Sequence, residues 1–271
     1  MRSRFLAVTV AALALFHAHI ARADSCRVTW SSIGDDAEAL VKAPFEMDDE
    51  AWLRTAVAAA GIGATMIWVD GYADRLVREE PDELPWVAAR KLASLTNWYG
   101  KNGRNAMIVA AGLSGAVALG GYVADDDRML DTGAIMAESV VFSMVITSVT
   151  KMIVGRKRPH DDSGPHSFEW FVGPFQREAL SFPSGHAATA FALAGAGAGR
   201  YPHWYVQVPA YVLATSAALQ RMDTRAHWAS DVLTGGLLGY AVAAFLVDRY
   251  ECEPGESGGD PALSLSFSVS F

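Results

Sequence analysis

Cysteine is nearly absent, with two in 271 residues. That scarcity excludes a disulfide-framework miniprotein and a cysteine-rich zinc module. Positive charge is also short. Lys and Arg number 22 against 30 Asp and Glu, a formal net charge of −8, with no long basic block. A protein that grips nucleic acid by neutralising phosphates needs the opposite balance. Internal repeats are lacking, so no solenoid or repeat array is expected. Charged residues make up only 19% of the chain, whereas 51% is hydrophobic and the mean hydropathy is +0.17. That composition excludes disorder and supplies a full core. It also raises the membrane question at once.

The chain divides into four stretches. Residues 1–23 read as a secretory signal. Arg2 and Arg4 open it, Phe5 to Phe16 is an apolar run, and Ala21-Arg22-Ala23 fits a small-x-small cleavage site. The alternative is an uncleaved anchor. Cleavage removes Arg2, Arg4 and Arg22 and no acid, which takes the net charge from −8 to −11. Residues 24–50 read as a polar, acidic, irregular arm. Residues 51–250 form a helical domain. Stretches rich in Ala, Leu, Val and Met predict helices over 51–69, 86–98, 104–123, 132–154, 185–199, 203–220 and 228–248. Little of this alternates with period two, so the expected fold is all-α. Residues 159–184 are a long connection rich in Pro, Gly and His, of the kind that often carries function. Residues 251–271 are a linker and tail. There Leu263, Leu265, Phe267, Val269 and Phe271 alternate with polar residues in a strand-like pattern. Cys26 and Cys252 lie near the two ends of the secreted chain, as either a pair or two free thiols.

Three clusters carry chemistry. Lys151 and Arg158 are seven residues apart, two helical turns, so one helix face can present both. Pro159 then turns the chain into an extended course. Ser181-Phe182-Pro183-Ser184-Gly185-His186 stands where a helix begins. Free N–H groups and the helix dipole favour an anion there. A plain N-cap by Ser184 is the alternative. Arg221 precedes His227 and Asp231, which are four apart and share a helix face. A carboxylate that fixes one imidazole nitrogen leaves the other free as a nucleophile. The Asp125-Asp126-Asp127 run matches no calcium loop and reads as a helix end.

Lys-x6-Arg-Pro at 151–159, Pro-Ser-Gly-His at 183–186 and Arg-x5-His-x3-Asp at 221–231 occur in that order. This set resembles the type 2 phosphatidic acid phosphatase superfamily, which also holds bacterial class A acid phosphatases and vanadium haloperoxidases. The resemblance covers about residues 105–248. It departs from the pattern at Gln220, where a serine is usual. It implies a helical bundle of the acid phosphatase type and a phosphatase that works through a phosphohistidine, with no metal or cofactor. His227 would be the nucleophile, Asp231 its partner, and His186 the acid and then the base. Lys151, Arg158, Arg221, Ser184 and the Gly185 amide would hold the phosphate oxygens. A lipid-linked phosphate ester is the favoured substrate. A vanadium-dependent haloperoxidase and a non-catalytic envelope scaffold are the alternatives.

The remaining polar and aromatic residues have quieter readings. His160 and His166 read as solvated loop residues, and Arg225 either adds charge to the site or faces water. Phe168, Trp170, Phe171 and Phe175 either line an apolar lip or pack the loop down. Counting spans from an external Asp24 puts the 158–186 loop inside, opposite to the usual side for lipid phosphatases of this kind. A periplasmic helical domain, associated with the membrane, is therefore expected, with an integral membrane protein as the alternative.

Overall fold

Asp48, Asp126 and Ser184 each stand just before an apolar stretch, and each caps a helix. Asp48 Oδ1 accepts from Ala51 N at 2.7 Å, Asp126 Oδ1 from Met129 N at 3.0 Å, and Ser184 Oγ from Ala187 N at 3.4 Å. These contacts satisfy amides that a helix start leaves unpaired. The computed structural model describes residues 27–29, 31–99 and 103–251. The helices in order are α1 (Ser32–Lys42), α2 (Asp49–Ala64), α3 (Asp70–Glu79), α4 (Trp86–Ala93), α5 (Gly103–Ala124), α6 (Asp127–Val154), α7 (Gly185–Arg200), α8 (Trp204–Asp223) and α9 (Ala229–Arg249). No strand occurs among the described residues, and the fold is all-α. The signal segment, both cysteines and the alternating tail lie outside the described residues.

Two expectations need correction. Part of the acidic arm is helical. In α1, Leu40 packs into the main core, while Asp36 is fully buried against Arg249, with Arg249 Nε donating to Oδ1 at 2.6 Å. Its partner lies 213 residues away, beyond the reach of local periodicity. The helix expected over 51–69 runs on to Glu79, because a π turn at Thr65–Val69 carries α2 into α3 without a break.

Helix α7 lies among α6, α8 and α9, and small residues let it sit close. On α9, a Cβ at Gly235 would come within 2.2 Å of Ser184 O, and one at Gly239 within 2.1 Å of Ala188 O. The two helices therefore touch backbone to backbone, as small residues four apart allow. Gly155 ends α6 with φ +56°, and a Cβ there would strike Glu169 O. Its left-handed turn opens the long connection, which returns past α6 through Glu169 N to Gly155 O at 2.6 Å.

Among the described residues, four helical stretches are long and apolar enough to cross a membrane: Asp49–Glu79, Gly103–Ala124, Asp127–Val154 and Ala229–Arg249. The first two are only 22% buried within the bundle. Leu53, Val57, Ile67 and Trp68 face outward from α2 and the π turn, and Ile108, Leu119, Tyr122 and Val123 from α5. Val141, Val145 and Val149 do so from α6, and Trp204, Tyr205, Val208 and Leu213 from α8. This is a larger apolar surface than a water-facing domain carries. It supports association with a membrane.

Candidate active site

Every sequence-predicted site residue sits at one end of the bundle, near the end of α6, the start of α7, the end of α8 or the start of α9. Backbone and side-chain bonds tie the three clusters together. Ser184 N donates to Asp231 O at 2.9 Å, and Ser181 Oγ to Asp231 Oδ2 at 2.5 Å. Lys151 Nζ reaches Leu180 O at 2.8 Å, Ser181 O at 3.2 Å and Pro183 O at 2.5 Å. Arg158 Nη1 reaches Ala226 O at 3.4 Å. Arg221 Nη1 lies 3.4 Å from His186 Nε2.

Asp231 is fully buried and held from three sides. Besides Ser181, its carboxylate accepts from Trp228 N at 2.9 Å and from Arg156 Nη1 at 2.5 Å. His227 Nδ1 lies 3.8 Å from Asp231 Oδ2, an ion-pair separation beyond hydrogen-bond length. Such contacts commonly tighten only when substrate binds. Burial pushes the His227 imidazole well below its ordinary 6.5. Asp231 opposes that shift, while Lys151 and Arg158 add to it. His227 is therefore neutral at pH 7, the form a nucleophile needs.

The predicted phosphate-holding residues divide into two kinds. Arg158 and Arg221 bring guanidinium groups to the site, with Arg221 Nη2 also fixed on Thr224 Oγ1 at 2.7 Å. Lys151 is positioned differently, because its ammonium is spent on three carbonyls of the chain that enters α7. In this arrangement it shapes the α7 entrance and supplies charge from behind. Ser184 is the N-cap of α7, so its hydroxyl serves the helix as well as any anion. A Cβ at Gly185 would meet only ordinary contacts with Met144 and Thr147, so crowding is not what calls for glycine there.

Other residues resolve differently from one another. Arg225 turns away from the site and pairs with Asp74 at 2.8 Å and Asp162 at 2.6 Å, tying α3 to the long connection. His160 Nδ1 faces Arg225 O at 3.1 Å, and His166 is exposed. Phe168 and Trp170 stack on each other and pack against Ile62, Met66, Val154 and Phe182, whereas Phe171 and Phe175 face outward. Asp126 is the predicted helix end. Among the described residues, no group of three His, Cys, Asp or Glu is placed to hold a metal ion.

Sequence reasoning passed over three contributors. Arg156 stands inside the first cluster, yet it follows Gly155 and so falls off the helical face that Lys151 suggests. Asp70 opens a polar helix and lies 86 residues from Arg156, so no local signal marks it. Tyr99 donates its hydroxyl to His186 O at 3.1 Å, and its ring meets the His186 imidazole edge-on. Burial holds that phenol protonated far above its usual range.

Tyr99 also lines a cavity of about 530 Å³ between α5, α6, α7 and α8. Ala190, one turn beyond His186, belongs to the same wall, as do Leu193, Val206 and Leu213. On α7 the lining runs from Ala190 to Gly197, roughly 10 Å at a helical rise of about 1.5 Å per residue, and Tyr201 continues it just beyond the helix.

The PAP2 superfamily model matches residues 132–251, the stretch that holds all three clusters. This segment belongs to the PAP2 superfamily. It is the superfamily that the three motifs resemble. The chain is 37% identical over 105 residues to a protein named lipid A 1-phosphatase from Rhizobium etli, covering 38% of this chain and 44% of that one. A protein of the same name from Rhizobium johnstonii is also 37% identical over 105 residues, covering 38% of this chain and 41% of that one. A third, from Porphyromonas gingivalis, is 39% identical over 84 residues, covering 30% of this chain and 18% of that one. The chain thus spans less than half the length of the curated relatives it matches. No solved structure matches.

Proposed function

We propose that this protein is a phosphoric monoester hydrolase that acts on a phosphorylated lipid through a phosphohistidine. The observation that carries the reading is the meeting of three spaced motifs at one end of the bundle. Arg221 stands against His186 there, and His227 stands against a buried, fully hydrogen-bonded Asp231. Neutral His227 attacks phosphorus, and the ester oxygen leaves with a proton from His186. Asp231 faces the positive charge that develops on His227. His186 then takes a proton from water, which attacks the phosphohistidine and releases phosphate. Arg158 and Arg221 face the equatorial oxygens, with the α7 amides and the Lys151 charge behind them. Phosphoryl transfer is served chiefly by such positioning and charge stabilisation.

The lipid part of the reading is supported by the cavity that begins at Tyr99. Its wall is largely apolar, it lies beside the His186 turn, and its volume of about 530 Å³ can take part of a hydrocarbon chain. The outward apolar belt supports an integral protein whose substrate arrives from the bilayer. The relatives named lipid A 1-phosphatase make a phosphorylated glycolipid one member of the substrate panel.

The test is phosphate release by the purified full chain. The panel holds p-nitrophenyl phosphate, phosphatidic acids of increasing chain length, lipid A and an isoprenyl diphosphate, with EDTA or vanadate added. The expected result is a kcat/KM that rises with chain length, survives EDTA and is blocked by vanadate. Equal activity on short and long chains would remove the lipid from the reading. Release that stops with EDTA would remove the metal-free route.

A further inference from the structure

Asp70 is the first residue of α3, directly after the π turn, on a helix that the PAP2 match does not reach. Such turns re-aim the side chains that follow them and occur often at functional sites. Asp70 is buried inside the bundle. Its Oδ1 accepts from Ser230 N at 2.8 Å, and its Oδ2 from Ser230 Oγ at 2.6 Å and from Arg156 Nη2 at 2.7 Å. Arg156 is also fully buried, lies over the rings of Phe168 and Trp228, and gives its other terminal nitrogen to Asp231. The order is Asp70, Arg156, Asp231, His227. Asp70 and His227 also share the wall of a cavity of about 10 Å³.

This order has an electrostatic meaning. Arg156 alone would offset Asp231 and leave His227 facing Lys151 and Arg158 with no net counter-charge. Asp70 balances Arg156, so the field of the Asp231 carboxylate at the imidazole is not cancelled by the guanidinium. The groups that face this centre are Lys151 from α6, Arg156 and Arg158 from the long connection, and His186 from α7. Arg221 comes from α8, and Asp70 and Asp74 from α3. Ser230 fixes the geometry from the first turn of α9.

We infer that Asp70 is a positioning residue for the proposed reaction, orienting the Asp231 carboxylate toward His227 by way of Arg156 and offsetting the Arg156 charge. The inference rests on the phosphatase reading above. A purely structural ion pair is the competing account, and the two differ in what they move.

The experiment compares the parent chain with Asp70→Asn, Asp70→Glu and the double variant Asp70→Asn/Arg156→Met, each purified at full length in detergent. Turnover of p-nitrophenyl phosphate is followed from acid to alkaline pH, unfolding is followed in parallel, and His227 is titrated by NMR with ¹⁵N-labelled histidine. Asp70→Asn should lower kcat about 10- to 100-fold with KM little changed, the scale seen when an outer partner of a reacting group is lost. The acid limb of the profile and the His227 titration should both move to lower pH, because Arg156 is then unbalanced. Asp70→Glu should recover part of kcat. The double variant removes Asp70 and its cation together and leaves the Asp231 carboxylate held by Ser181 Oγ and Trp228 N, so it should fold and still turn over slowly.

A folded Asp70→Asn protein with kcat within about twofold of the parent and an unmoved acid limb would overturn the inference. If Asp70→Asn does not fold, a double variant with near-parental kcat overturns it instead. If the parent itself releases no phosphate, the phosphatase reading fails. The His227 titration then decides alone, and identical titrations in parent and variant overturn the link.

Discussion

Helix α9 carries a buried Arg–Asp pair at each end, and the two pairs do different things. At its start, Asp231 is bonded to Arg156, which reaches back to Asp70. At its finish, Arg249 is bonded to Asp36, which also accepts from the Tyr250 hydroxyl. Both pairs tie α9 to an element that the PAP2 match does not cover, α3 in one case and α1 in the other. Both are buried. Only the first adjoins a histidine and three further cations. A buried ion pair is by itself weak grounds for either stability or function. What separates the two ends is the reactive group to which the carboxylate is coupled.

That contrast breaks most sharply at His227. His227→Ala should lower turnover by about 10⁴-fold or more in protein that unfolds like the parent, because it removes the proposed nucleophile. Initial rates on p-nitrophenyl phosphate, with circular dichroism alongside, check it. Arg221→Ala should come next, with kcat down by roughly 10²- to 10³-fold, the usual cost of losing one donor to a developing oxyanion. Single-turnover rates separate that loss from weaker binding.

The far pair should answer in the other currency. Arg249→Ala leaves Asp36 as an uncompensated buried charge and should cost about 3–5 kcal/mol of stability. The surviving folded protein should keep its kcat, and denaturant unfolding paired with active-site titration checks both halves. If Arg249→Ala instead lowers kcat without unfolding the protein, the two ends are not distinct.

The smallest effect concerns pH. His227 is held below its ordinary 6.5 by burial, so the neutral nucleophile persists into mildly acid solution. The acid limb of kcat/KM should therefore lie below pH 6.5. Folding stability should fall as pH drops below the unfolded value of about 6.5, because the unfolded chain takes up a proton that the folded chain refuses. Stability and rate profiles measured on one preparation check the sign. An acid limb above 6.5 would assign it to another group.

Much of this was legible in the chain, and the missing parts share a physical cause. Lys151, Arg158, His186, Arg221, His227 and Asp231 stand in local spacings, and helix geometry turns those spacings into shared faces. The caps at Asp48, Asp126 and Ser184 follow from the same local chemistry. Asp70, Arg156 and Asp36 work through partners tens to hundreds of residues away, which no periodicity encodes. Helix α1 was hidden because its polar composition suits a solvated arm until Arg249 is there to meet Asp36. The π turn was hidden because its one extra residue leaves no mark on composition, and the charged residues after Val69 look like the end of the helix. Lys151 is the instructive middle case. The sequence places it at the site, and the fold then spends its ammonium on three carbonyls.

The most direct test is to trap the phosphoenzyme. The full chain would be mixed with ³²P-labelled p-nitrophenyl phosphate, whose phenolate departs without a proton from His186, quenched in alkali within one turnover, and mapped by peptide mass spectrometry. The account predicts an acid-labile, alkali-stable phosphate on His227 that accumulates when the His186-dependent second step is slowed by His186→Ala. Label on another residue, or steady turnover with no covalent species at any quench time, would contradict it.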